Sequence, residues 1–192
     1  MILYLHGFRS SPRSFKTRVV ADRMKALGRG NELICPQLPA SPKQAMELAL
    51  SLVERYPANE LAVIGSSLGG FYATWLAERL GCRAALLNPA VNPLKDLEKH
   101  VGVTTAWHSD EPFEFKREYI DELAALRIAR ITRPERYYLL AATGDEVLDY
   151  RDMVAHYQGA QQHVIEGSDH AIPEFAQYVD EVLAFCGMEA PR

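Results

Sequence analysis

Little in this chain invites metal, disulfide or nucleic-acid chemistry. Its three cysteines, Cys35, Cys82 and Cys186, are odd in number and too far apart for a zinc motif, so they read as reduced, buried thiols. The six histidines include no His-Glu-x-x-His pattern, and no metal or other cofactor is expected. No run of basic residues accompanies the formal charge of −4 and the pI near 5.9. A phosphate-tracking surface, and with it a nucleic-acid partner, is therefore not expected. Long hydrophobic runs are also missing. The opening "MILYLHG" has no basic n-region and reaches His6 after five apolar residues, so neither a signal peptide nor a membrane span is expected there, and a cytoplasmic location is the default. Internal repeats, low-complexity tracts and Gly/Ser linkers are absent, which leaves residues 1–192 as one expected domain.

What is present is a set of short apolar runs separated by helical patterns. The 192 residues are 48% apolar, enough for a sizeable core. The runs "ILYL" (2–5), "LICP" (33–36), "LAVIG" (61–65), "AALLN" (84–88), "YYLLAA" (137–142) and "HVIE" (163–166) read as strands buried on both faces. Between them, Ser41 and Pro42 open a helix that stops before Pro57, and further helices are predicted from about Phe15 to Leu27 and from Leu68 to Leu80. A last helix is opened by Pro173 and closed by Gly187. The alternation predicts a three-layer α/β/α sandwich with a mostly or wholly parallel sheet of about six strands. The stretch from Val91 to Glu135 breaks the rhythm and is read as an excursion or small cap over one edge of the sheet, with "REYIDELAALRIARI" as its helix.

The pentapeptide Gly65-Ser66-Ser67-Leu68-Gly69 joins a predicted strand to a predicted helix. Glycine on both sides of a serine suits a sharp turn in which flanking side chains would collide with the neighbouring strand and helix. Ser67 is thus a candidate nucleophile. The other reading is a Gly-rich turn cupping a phosphate at a helix N-terminus, although neither the Walker pattern nor Gly-x-Gly-x-x-Gly is present. A serine nucleophile needs a base, and the base needs an acid to fix its tautomer. Asp145 follows the fifth strand and His170 the sixth, the order this fold requires. Glu146, Asp149 and Asp169 are rival acids; Asp149 could equally cap the next helix, and Asp169 adjoins the histidine. The backbone N–H groups of Leu68 and Phe8 are candidate oxyanion donors, with a strand-ending turn at Gly7 in positive φ as the plainer reading of "HGF". His6 reads as a brace for that loop, and Ser66 as structural. In the excursion, Trp107, Phe113, Phe115 and Tyr119 either line an apolar acyl pocket or pack down on the sheet.

With "HGF", "GSSLGG", "LNPAV", "TGDEVLDYR" and "GSDHAI" in this order, the chain resembles the small bacterial YqiA/YcfP-type esterases of the α/β-hydrolase superfamily. The resemblance implies a shortened α/β-hydrolase sheet lacking the superfamily's first two strands. It also implies Ser67, Asp145 and His170 as nucleophile, acid and base, and short to medium acyl esters or acyl thioesters as small-molecule substrates. Residues 101–118 depart from the family pattern. A hydrolase-fold binding module acting through a protein partner or a non-hydrolysed ligand is the alternative from another class.

Overall fold

The apolar runs lack polar alternation because the strands they form are covered on both faces. The computed structural model describes residues 1–105 and 112–189. Its strands are β1 (Ile2–Leu5), β2 (Leu33–Ile34), β3 (Ala62–Ser66), β4 (Arg83–Leu87), β5 (Gly102–Thr105), β6 (Pro112–Phe115), β7 (Tyr137–Ala142) and β8 (Gln161–Ile165). The α-helices are α1 (Phe15–Ala26), α2 (Pro42–Val53), α3 (Leu68–Leu80), α4 (Pro93–Glu98), α5 (Glu118–Ala125), α6 (Tyr150–His156) and α7 (Val179–Phe185). Six strands make one parallel sheet in the order β2-β1-β3-β4-β7-β8.

The chain steps from β1 to β2 in one direction and then runs the other way through β3, β4, β7 and β8. Right-handed crossovers therefore place α1 on the opposite face from α2 and α3. Side chains alternate accordingly. Leu3, Val63, Leu86 and Leu139 pack under Met46 of α2, Phe71 of α3 and Met153 of α6. Tyr4, Ile64, Leu87 and Leu140 pack against Val20 and Met24 of α1 and Val182 of α7. This is the expected three-layer sandwich. The point where strand order reverses, between β1 and β3, opens a crevice at the carboxyl ends of the strands, where ligands of such sheets bind.

Several boundaries differ from the sequence reading for local reasons. Strand β2 has two residues rather than four, because Pro36 has no N–H to continue the ladder. Ser41 caps α2 as expected, accepting from the Gln44 N–H at 3.2 Å. The terminal helix is split into a 3-10 turn, Phe175–Gln177, and α7. In the 91–135 segment, β5 and β6 pair antiparallel outside the main sheet, and α5 stops at Ala125. Leu126 and Ile131 are both buried, yet five residues on a helix are about 140° apart, so burying both takes the chain out of the helix. The Glu122 carboxylate ties α5 to the start of α2, accepting from the Ser41 hydroxyl at 2.6 Å and the Lys43 N–H at 3.0 Å. Among the described residues no helix is long and apolar enough to cross a membrane, and no three His, Cys, Asp or Glu side chains are grouped to hold a metal ion.

Candidate active site

Ser67 sits between β3 and α3 at φ 55°, ψ −121°, a conformation that residues with a side chain rarely adopt. Such strain, of order 1–3 kcal/mol, persists only where the surroundings over-determine it. Here they do. The Ser67 N–H donates to the Leu87 carbonyl at 3.1 Å, and the Ser67 carbonyl accepts from Gly70 at 2.9 Å and Ala90 at 3.0 Å. The turn is so tight that a Cβ on Gly65 would overlap the Gly69 carbonyl, and one on Gly69 would overlap the Leu5 carbonyl. Gly70 meets Pro89 in the same way, with a built Cβ 2.5 Å from the proline ring. The "LNPAV" segment thus forms the wall that holds the serine turn.

His170 Nε2 lies 3.0 Å from Ser67 Oγ, and His170 Nδ1 lies 2.8 Å from Asp145 Oδ2. A carboxylate facing Nδ1 assigns the proton to that nitrogen and leaves Nε2 to accept from the serine hydroxyl. The Asp145 side chain has no exposed surface, and its other oxygen accepts from the N–H groups of Val147 at 2.8 Å and Leu148 at 2.9 Å. The three rival acids are engaged elsewhere. Asp149 caps α6 through the Arg151 N–H at 2.9 Å, and Asp169 caps its own turn through Ala171 and Ile172. Glu146 accepts the His170 backbone N–H at 3.0 Å and so braces the histidine loop.

Two further braces gave no signal in the sequence. Asn88, wholly buried at φ 41°, donates to the carbonyls of Asp169 (3.1 Å) and His170 (3.2 Å) and accepts from the Ala142 N–H at 2.8 Å. Lys16 on α1 donates to the His170 carbonyl at 3.0 Å and to Ser66 Oγ at 3.2 Å. Each acts on a loop more than eighty residues away in sequence, or on one reached only through the folded sheet, so nothing in their own neighbourhoods marks them.

Across the crevice, the loop after β1 carries Phe8. Among the described residues neither the Phe8 nor the Leu68 N–H donates to a protein acceptor, and Leu68 opens α3, where such groups lack helical partners. His6 holds the loop as expected: Nε2 accepts from the Leu38 N–H at 3.0 Å, and Nδ1 faces the Gly7 carbonyl at 3.0 Å. Burial keeps its imidazole below the ordinary value, hence neutral. The plainer reading of this loop placed Gly7 at positive φ; the residue that adopts it is Arg9, at 57°. Ser66, read as structural, meets the Lys16 ammonium rather than the histidine.

Ser67 opens into a cleft of about 450 Å³, walled by Phe8, Phe15, Leu97, Val147 and Leu148. The aromatic residues expected to line an acyl pocket lie elsewhere. Phe115 is 1% exposed, and both Phe113 and Phe115 meet the Phe8 ring edge-on, each at 5.2 Å between centroids, behind the cleft wall. Tyr119 meets Phe115 edge-on in turn, so the packing reading fits Phe115 and Tyr119, while Phe113 also borders a small recess beside Phe8, Leu68 and Tyr72. The reason is topological: β6 runs behind the β1 loop and presents its rings to Phe8, not to the serine. Trp107 lies outside the described residues.

A six-stranded parallel sheet flanked by helices, with a serine turn after β3, defines the α/β-hydrolase fold. Solved structures agree. A proposed hydrolase from Agrobacterium vitis S4 superposes with a TM-score of 0.74 at 20% identity, covering 97% of this chain and 87% of its own. Mouse alpha/beta hydrolase domain-containing protein 10 gives 0.70 at 17%, covering 95% and 89%. A monoacylglycerol lipase from Paleococcus ferrophilus gives 0.67 at 16%, covering 98% and 94%. The model of the family described as Uncharacterised protein family (UPF0227) matches residues 1–187, and the chain belongs to that family, the YqiA/YcfP type that its motifs resemble.

Proposed function

We propose that this protein is a serine hydrolase of carboxylic esters or acyl thioesters. The observation that carries the reading is the unbroken chain Ser67 Oγ, His170, Asp145, with gaps of 3.0 and 2.8 Å, at the floor of a largely apolar cleft. Ser67 attacks the acyl carbon while His170 Nε2 takes its proton. Asp145 holds the imidazole in the required tautomer and stabilises the imidazolium that forms. The N–H groups of Phe8 and Leu68 receive the developing oxyanion, the largest electrostatic demand of the reaction. The imidazolium then protonates the leaving alcohol or thiol, and water, deprotonated by the same histidine, releases the acid. Neighbours whose names include an esterase and a lipase agree with this chemistry.

A fluorophosphonate probe tests the reading. Covalent labelling of the folded protein that disappears in Ser67→Ala, together with a loss of ester turnover by several orders of magnitude, is the expected result. A folded wild-type protein that neither labels nor turns over activated esters would leave the fold serving as a binding module instead.

A further inference from the structure

Lys16 is 8% exposed and borders the cleft beside Ser66 and Ser67. Both of its hydrogen-bond acceptors, the Ser66 hydroxyl and the His170 carbonyl, are neutral. Among the described residues no carboxylate pairs with it; Asp145 and Asp169 act on it only through space. Burial pushes the amine down to about 8, so at neutral pH it remains an ammonium. Taking such an ion out of water costs several kcal/mol, and two neutral acceptors with two through-space carboxylates offset that cost only in part. Two acceptors also leave one of its three N–H donors unused.

The cleft mouth repeats the sign. Arg9, which also holds the Thr105 carbonyl, and Lys99 border it, with Asp96 the one carboxylate there among the described residues. His100 stands between them, held below its ordinary value by burial and then by Lys99 and Arg9. Positive side chains both at the floor, Lys16, and at the rim of the cleft run against the net charge of −4 of the whole molecule. The remaining walls are largely apolar.

We propose that the cleft takes an anionic ester, its carboxylate or phosphate paired with Lys16 and its apolar chain laid along Phe8, Phe15, Leu97, Val147 and Leu148. The inference rests on the serine-hydrolase reading and names its substrate class. Lys16 supplies the counter-charge and the free donor at the floor. Lys99 adds positive charge at the mouth, where a low-dielectric cleft focuses its field.

Two matched substrate pairs test it and separate the sources of charge: p-nitrophenyl pentanoate against mono-p-nitrophenyl glutarate for the acid side, and pentanoyl glycerol against pentanoyl glycerol 3-phosphate for the alcohol side. In at least one pair the anionic member should lead in kcat/KM by about tenfold, and the ratio should fall to near one in Lys16→Met. Lys16→Gln serves as the second variant should the first not fold. Ratios near one for both pairs in the wild-type protein, or a preference that both variants retain, overturn the inference while leaving the hydrolase reading intact. Absence of turnover for all four esters with no phosphonate labelling overturns the hydrolase reading and this one with it.

Discussion

Replacing Asp145 by Asn changes one atom and should nearly abolish turnover. The carboxylate uses Oδ1 for two backbone N–H bonds at 2.8 and 2.9 Å and Oδ2 for His170 Nδ1 at 2.8 Å. An asparagine keeps the first set by placing its carbonyl oxygen there, which forces its NH₂ toward the histidine. A donor facing Nδ1 selects the opposite tautomer, with the proton on Nε2, the atom 3.0 Å from Ser67 Oγ. The base is then occupied before the reaction begins. Losses on the order of 10⁴ in kcat accompany such a tautomer swap in a serine triad. The fold should survive, because the two backbone bonds persist and the side-chain volume is unchanged. Asp149→Asn is the control: asparagine caps a helix as well as aspartate does, so α6 and activity should both stay near wild type. The assay is kcat/KM on one activated ester, with thermal melts alongside. An Asp145→Asn protein within tenfold of wild type, or a crippled Asp149→Asn, would refute the assignment.

Other expectations follow from the same geometry. Gly69→Ala puts a Cβ into the Leu5 carbonyl and 2.8 Å from that of His6, backbone atoms that cannot yield without moving β1; the cost should exceed about 4 kcal/mol, and a melting temperature within about 5 °C of wild type would contradict it. Asn88→Ala removes three hydrogen bonds and strands the buried Ala142 N–H, so urea denaturation should show a loss of at least about 2 kcal/mol, with kcat falling as the His170 loop loosens; an unchanged midpoint would count against the brace. For His6, burial lowers the folded-state value below the ordinary 6.5. The unfolded chain therefore takes up a proton that the folded one refuses, and this stabilisation is complete above about pH 6.5 and lost as pH falls further. Urea midpoints should decline between pH 7 and 5, and decline less in His6→Gln; equal slopes would sink the argument.

The central sheet and the grouping of Ser67, Asp145 and His170 were legible because both are written locally. Uninterrupted apolar runs mark doubly covered strands, and the glycines around Ser67 form a pattern readable within five residues, although only Gly65 collides with a near neighbour while Gly69 and Gly70 meet Leu5 and Pro89. Asp145 and His170 could be chosen because each follows its strand directly. The 91–135 segment was harder to read. Whether Phe113 and Phe115 face the cleft or the core depends on where β6 passes relative to Phe8, a long-range fact with no local periodicity behind it. Lys16 was invisible for a similar reason: on a helical pattern one lysine reads as solvated surface, and only the packing of α1 against the histidine loop buries it. The length of α5 was misjudged because the demand to bury Leu126 and Ile131 together outweighs helix propensity.

The segment at the carboxyl end of β4 holds both Ser67 and the loop of His170. Through Leu87 and Ala90 it grips the backbone of Ser67, and through Asn88 it grips the loop of His170, although Ser67 and His170 are 103 positions apart. Ser67 and His170 thus share one mount, so the spacing between their side chains is set by the same short segment. Tolerance for remodelling should therefore be lowest at these four consecutive residues, and an engineer seeking new substrates would leave them untouched and alter the cleft walls.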